Sequence, residues 1–267
     1  MDKIRLMAHL VAGFPDTSGC RAAAEGLIAG GASYLEIQIP FSDPSADGPV
    51  IQSACAAALA NGYSVTQALD FLESLHRDFP QVPLFVMAYA SLVVTPGVEQ
   101  FVHMMAQRGV MGLIVPDLPF DRDEGLAEAC AHQGLVSIPV AAPSMRSERL
   151  ERMAHLGRTY LYAALRTGIT GTTTTIGEGT LQFLQACAVG GSKVLGGFGI
   201  RSHTQAQAVA PLVHAVVAGS VFVETIQETL EAHRVSRSAS FKGSIEVRDT
   251  AIRENIRQKA QEIITGE

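Results

Sequence analysis

Residues 35–49 read LEIQIPFSDPSADGP, and three carboxylates, Glu36, Asp43 and Asp47, fall within them. The opening residues, with Tyr34, form an apolar run of strand type that Pro40 ends and a turn-rich segment follows. Side chains alternate along a strand, so Glu36 and Gln38 share one face while Leu35, Ile37 and Ile39 share the other. The apolar face suits packing against helices, which leaves Glu36 pointing into the mouth of a closed sheet. A carboxylate in such a place is costly unless it is paired or functional, and burial moves carboxyl groups towards the range of a general acid/base. Glu36 is therefore a candidate catalytic residue; a structural glutamate bonded to a neighbouring strand or to water is the other reading. Asp43 and Asp47 sit in a loop where Asp commonly bonds nearby amides. Each alone reads as a loop-shaping residue, and only the trio suggests a site.

Similar apolar runs recur at 7–11, 84–88, 112–115, 136–140, 159–165, 193–197 and 215–219. Several are almost continuously apolar, as parallel strands covered on both faces are. Stretches of helical period lie at 18–31, 64–79, 96–109, 121–134, 146–157, 177–190 and 203–212, many opened by Ser, Thr or Asp and closed by Gly. Eight strand–helix units of roughly 30 residues each predict an α/β fold, a (β/α)8 TIM barrel in one domain over 1–267. A doubly wound open sheet is the competing topology. If it bound a dinucleotide, a GxGxxG turn would follow the first strand, and here VAGFPD follows. After a polar break at 234–244, residues 245–264 form an amphipathic helix that should dock on the barrel.

The chain of 267 residues is long enough for a sizeable core, and 47% hydrophobic against 17% charged residues marks it as globular. A net charge of −6 leaves no basic surplus for nucleic acid or an anionic membrane. The apolar run 83–94 is too short to span a bilayer, and the start MDKIRLMAHLVAGFPD does not read as a signal peptide. Cys20, Cys55, Cys130 and Cys187 are far apart with no CxxC pair. That argues against a zinc site or a disulfide framework and fits a reducing cytoplasm. The eight histidines show no metal-ligand spacing; His103, His132, His155 and His203 fall in helical stretches and read as surface residues.

A second constellation is rich in glycine: 166-RTGITG-171 after the sixth strand, 197-GFGIRS-202 after the seventh and 219-GSVFVE-224 after the eighth. Glycine lets backbone amides approach an anion, a following helix start adds partial positive charge, and barrels often bind phosphate after the last two strands. A phosphate site is the favoured reading over ordinary turn glycines. Tyr162, Arg166 and Asp117 lie on or beyond strand ends, where catalytic and structural roles both remain open.

The run 35-LEIQIPFSDPSADGPVIQ-52 resembles the signature of the tryptophan synthase alpha subunit family. The turn AGFPD, VPDLP at 115–119, RTGITG at 166–171, GFGI at 197–200 and Gly219-Ser220 match it in order. The resemblance implies a barrel that cleaves indole-3-glycerol phosphate to indole and glyceraldehyde 3-phosphate by a retro-aldol step in tryptophan biosynthesis. It makes Glu36 the acid/base that protonates the ring carbon, Asp47 the partner of the indole N–H, and Tyr162 an assistant near the glycerol. Phe198 would wall the pocket, and Gly171, Gly199, Gly219 and Ser220 would cradle the phosphate. Thr170 would meet Asp47 as the 166–176 loop closes. The resemblance also implies no metal and no cofactor in this chain, and a beta-subunit partner that carries pyridoxal phosphate in an α2β2 complex. Asp43, Pro44 and Ser91 would lie at that contact.

The chain departs from the family pattern at Gln38, where glycine is usual, and at Val11, Ser45 and Ser91. The family's N-terminal helix, which closes the bottom of the barrel, has no counterpart in the residues before the first strand. Gln38 shares the Glu36 face, so its amide is expected to enter the indole pocket or to bond the catalytic carboxylate. An alpha-like protein with weakened catalysis that serves as the allosteric partner of a beta subunit is one alternative. Another sugar-phosphate-binding barrel lyase is the second. A Schiff-base aldolase fits poorly, because Lys193 begins its strand and so lies at the wrong end of the barrel.

Overall fold

The computed structural model describes residues 4–165, 176–197, 199–237 and 245–267. The chain opens with β1 (Leu6–Val11), α1 (Thr17–Ala29) and β2 (Tyr34–Gln38). It continues through α2 (Pro49–Ala60), α3 (Val65–Asp78), β3 (Leu84–Met87), α4 (Ala90–Val94), α5 (Val98–Ala106) and β4 (Val110–Ile114). Next come α6 (Leu126–His132), β5 (Val136–Ile138), β6 (Val140–Ala141), α7 (Ser147–Ala154), β7 (Tyr160–Ala164) and α8 (Glu178–Ala188). The last elements are β8 (Lys193–Gly197), α9 (His203–Val209), a short 3-10 turn, β9 (Ala215–Ala218), α10 (Ser220–Arg237) and α11 (Ile245–Thr265).

All the strand pairings are parallel, in the order β5-β4-β3-β2-β1-β9-β8-β7-β6. The two ends of that order are one run of chain divided by Pro139. Proline has no N–H to give a ladder, yet its carbonyl accepts from the Tyr162 amide at 3.0 Å. One barrel strand thus pairs with β4 through its first half and with β7 through its second, which closes the ring. The strands β7, β8 and β9 are therefore the sixth, seventh and eighth of the barrel.

Outward-facing strand residues such as Leu35, Ile37, Val86, Leu113 and Leu161 pack under the helices in one large cluster. Inward residues, among them Met7, Phe85, Met87, Ile114, Ile138, Tyr162, Leu195 and Val217, fill the barrel as a second. At its N-terminal end Tyr34 and His214 hydrogen-bond at 2.9 Å, and Tyr34, Phe85, Tyr160 and His214 meet mostly edge to face. Lys193 stands over Tyr160 at that same end, the end opposite the mouth.

Each cysteine sits on a different helix, α1, α2, α6 or α8, buried and unbridged. Burial pushes the thiols of Cys20, Cys130 and Cys187 up to about 12 and that of Cys55 to about 11. The turn after β1 requires glycine at Gly13: its φ is +76°, and a Cβ would stand 2.4 Å from the Tyr63 ring. Two expectations shift. The segment 121–125 is turn and α6 starts only at Leu126, because Glu124 and Gly125 both take positive φ. His203 is half-buried, its Nδ1 3.1 Å from the Ile263 carbonyl of α11, whereas His103, His132 and His155 are exposed.

Candidate functional site

The mouth of the barrel is built from β2 outward. Leu35 and Ile37 lock β2 under the helices, so Glu36 and Gln38 turn inward, and both are 0% exposed. The parallel register sets His9 of β1 directly opposite Glu36, with His9 Nδ1 3.4 Å from Glu36 Oε1. That is near enough for charge pairing but is not an aligned hydrogen bond: neither Glu36 oxygen has a hydrogen-bond partner among the described residues. Burial disfavours the His9 imidazolium, yet the charges of Glu36, above all, and Asp47 and the nearby acceptor groups of Glu36 and Gln38 outweigh it, so His9 titrates above its usual value.

Asp47 returns from the loop after β2 and is buried. Its Oδ2 accepts from Gln38 Nε2 at 2.7 Å and from the Tyr89 hydroxyl at 2.8 Å. Burial raises the Asp47 carboxyl above the ordinary range, against the opposing pull of His9 and these two donors. Tyr89 also accepts from the Ala46 amide at 3.0 Å and stacks on Phe41, with ring centroids 5.1 Å apart. It thereby clamps the acidic loop at two points. Gln38 thus bonds Asp47 and not Glu36: it lies one inward position nearer the mouth, at the height to which the loop brings Asp47 back. Its amide also reaches Cys55 Sγ at 3.5 Å, and its Oε1 is buried without a partner among the described residues.

Tyr162 points into the barrel from β7, buried, and a Cβ on Gly197 would stand 2.9 Å from its hydroxyl oxygen. Burial first, then Glu36 and Asp47, hold the Tyr162 hydroxyl well above its ordinary value. Gly219 follows β9, and Ser220 opens the 18-residue α10, whose first amides have no partners inside the helix. A Cβ at Gly219 would stand 3.0 Å from His9 Cδ2, so the imidazole fills the space between Glu36 and this turn. Gly199 takes φ +88°. Arg201 and Glu224 pair across the turns after β8 and β9, with Arg201 Nη1 3.0 Å from Glu224 Oε1.

Glu36, Asp47 and Tyr162 thus share the interior of the mouth, with Gly219 and Ser220 on its rim. Thr170, Gly171, Phe198 and Arg166 lie outside the described residues. Asp43 and Ser91 are exposed, whereas Pro44 is buried within the chain. Asp117 accepts from the Ala90 amide at 2.8 Å and so holds the start of α4. The sequence reading missed His9 and Tyr89. A lone histidine in an apolar strand carries no spacing signal, and only cross-strand register reveals its partner.

The family model described as "Tryptophan synthase alpha chain" matches residues 2–250. A tryptophan synthase alpha chain of Helicobacter hepaticus is 37% identical over 232 residues, 85% of this chain and 87% of that one. One from Trichormus variabilis is 35% identical, covering 90% and 91%. Among solved structures, a tryptophan synthase complex from Pyrococcus furiosus superposes with a TM-score of 0.80 at 26% identity, covering 98% of this chain and 99% of that one. Mycobacterium tuberculosis tryptophan synthase gives 0.80 at 29% identity, covering 97% and 93%.

Proposed function

Because this chain belongs to the tryptophan synthase alpha chain family, a family of lyases, we propose that it cleaves indole-3-glycerol phosphate to indole and glyceraldehyde 3-phosphate. The observation that carries this reading is the meeting of two buried carboxylates, Glu36 and Asp47, in a barrel mouth rimmed by Gly219 and Ser220 at a helix start.

The chemistry follows from those groups. Glu36 gives its proton to the ring carbon that bears the side chain. The ring nitrogen then carries positive charge, which Asp47 offsets by accepting the N–H; Gln38 and Tyr89 both bond its Oδ2, which leaves Oδ1 for the substrate. The side-chain hydroxyl next to the ring returns a proton to the Glu36 carboxylate, and the carbon–carbon bond breaks. Its electron pair returns to the ring to give indole, and the oxygen becomes the aldehyde carbonyl. Tyr162 lies near the glycerol, and the α10 amides beside Gly219 and Ser220 take the phosphate, with Gly199, Gly171, Thr170 and Phe198 completing the pocket. No metal or organic group in this chain enters the scheme. Pyridoxal phosphate belongs to the beta-subunit partner, docked where Asp43, Pro44 and Ser91 lie.

The bond from Gln38 to Asp47 favours a second reading, in which the same site is slowed and the chain serves chiefly as the partner's activator. Indole release from indole-3-glycerol phosphate, with and without a beta subunit, separates the two. Active parent chain with loss of at least about 100-fold in Glu36→Gln supports the lyase. Silence in the parent with recovery in Gln38→Gly supports the slowed site. Silence in every variant despite partner binding overturns the lyase reading.

A further inference from the structure

His9 is a buried titratable group that the scheme above does not use. Three observations converge on it. The β1–β2 register sets it opposite Glu36, with Nδ1 3.4 Å from Oε1. Its ring is wedged against Gly219, where a Cβ would stand 3.0 Å from Cδ2 and 3.1 Å from the His9 Cβ, so it is held in place. Its Nε2 and both oxygens of Glu36 are buried with no hydrogen-bond partner among the described residues. Orphaned polar atoms inside a barrel are expensive, and three in one spot mark a site made for a proton and a ligand. Among the described residues no Lys or Arg forms an ion pair with Glu36.

Resting on the lyase reading, we propose that His9 is a positioning residue that acts through Glu36: the two side chains hold one proton in common, and that proton is the one used in carbon–carbon cleavage. The carboxyl proton goes to the ring carbon and leaves a carboxylate beside a neutral imidazole. As the carbon–carbon bond breaks, the hydroxyl proton returns to the carboxylate, and the pair again holds a single proton. No proton is gained or lost over the cycle. Before the first transfer and after the second, the imidazole can carry the shared proton and so supply the positive counterpart to a buried Glu36 carboxylate; between the two transfers the protonated indole ring supplies it. The groups facing His9 are Glu36 and Gln38 of β2, Asp47 of the following loop, Tyr162 of β7 through the shared carboxylates, and the uncharged Gly219. Burial of the imidazole opposes its charge and the two carboxylates favour it, the balance a shared proton requires.

The test pairs kinetics with NMR on the intact chain. His9→Asn keeps a donor near Nδ1 but does not titrate; His9→Phe keeps ring volume. The expected result is a fall in kcat of about 100-fold in His9→Phe with a smaller change in KM, partial rescue in His9→Asn, and loss in both of one limb of the kcat–pH profile. The His9 imidazole, followed by NMR in Glu36→Gln, should titrate at least one unit lower than in the parent chain. A pH profile of His9→Asn that superimposes on the parent's with unchanged kcat overturns the proposal, as does a His9 titration that ignores Glu36→Gln. If neither the parent nor Gln38→Gly releases indole, the lyase reading falls alone. The NMR arm then still decides, because a downward shift upholds the shared proton and its absence overturns it.

Discussion

Tyr89 shows how much one hydroxyl organises. It accepts from Ala46, donates to Asp47 and lays its ring on Phe41. Tyr89→Phe keeps the stacking and strips both hydrogen bonds, leaving the Ala46 amide and Asp47 short of partners. The expected cost is about 1–3 kcal/mol, read as a lower urea midpoint at unchanged m-value. Neither Tyr89 nor His9 was legible in the sequence, because each matters through a neighbour distant in the chain. Glu36 was legible because a charge in a strand of apolar residues declares its face by alternation alone. The direction of Gln38 could be read the same way; its partner could not, since the loop between β2 and α2 decides where Asp47 returns.

Among the elements, α1 and α11 approach more closely than side chains normally allow. A Cβ on Gly26 would stand 2.4 Å from the Arg253 carbonyl, and one on Gly30 would stand 2.7 Å from that of Arg257. The two glycines lie one helical turn apart, so α1 presents a bare strip to a backbone. Gly26→Ala should destabilise the protein by about 1–3 kcal/mol in a denaturant titration, since the atom it meets is main chain. Gly179→Ala, in α8 with nothing within 4 Å, should instead stabilise by about 0.4–1 kcal/mol. The docking of the C-terminal helix was readable from its amphipathic pattern, and the strands from their continuous apolar runs. Helix α2 was not recognised: PVIQSACAAALA follows the acidic loop at once and is too uniformly small and apolar to show a period. Its buried set of Ile51, Ala54, Cys55 and Ala58 appears only once packed.

Over the whole molecule, a few contacts tie the chain's ends to the mouth. Arg248 of α11 reaches Asp16, which caps α1 just beyond the turn after β1, with Arg248 Nη1 2.6 Å from Asp16 Oδ2. Burial opposes ionisation of Asp16, but Arg248 and the Gly19 amide outweigh it and hold the carboxyl below its usual value. A carboxyl lowered by folding stabilises the native state above its unfolded value, near 3.8, and that contribution disappears as pH falls through the folded value. Arg248→Ala should therefore flatten the acid limb of a stability–pH curve while changing neutral stability by about 1 kcal/mol or less. The small size reflects an Asp16 side chain that is 42% exposed, where solvent screens the pair. The closed barrel was legible from eight regularly spaced runs. Its closing seam was not, because a proline in the middle of a strand argues against a strand until the two halves are seen to serve different neighbours.

The four cysteines give this architecture a built-in clock. Each lies on a separate helix around the ring, and each thiol is too buried and too weakly acidic to react while its helix stays docked. The rate at which a small thiol reagent labels Cys20, Cys55, Cys130 and Cys187 in turn will therefore time the opening of four sectors of the barrel, with no probe introduced.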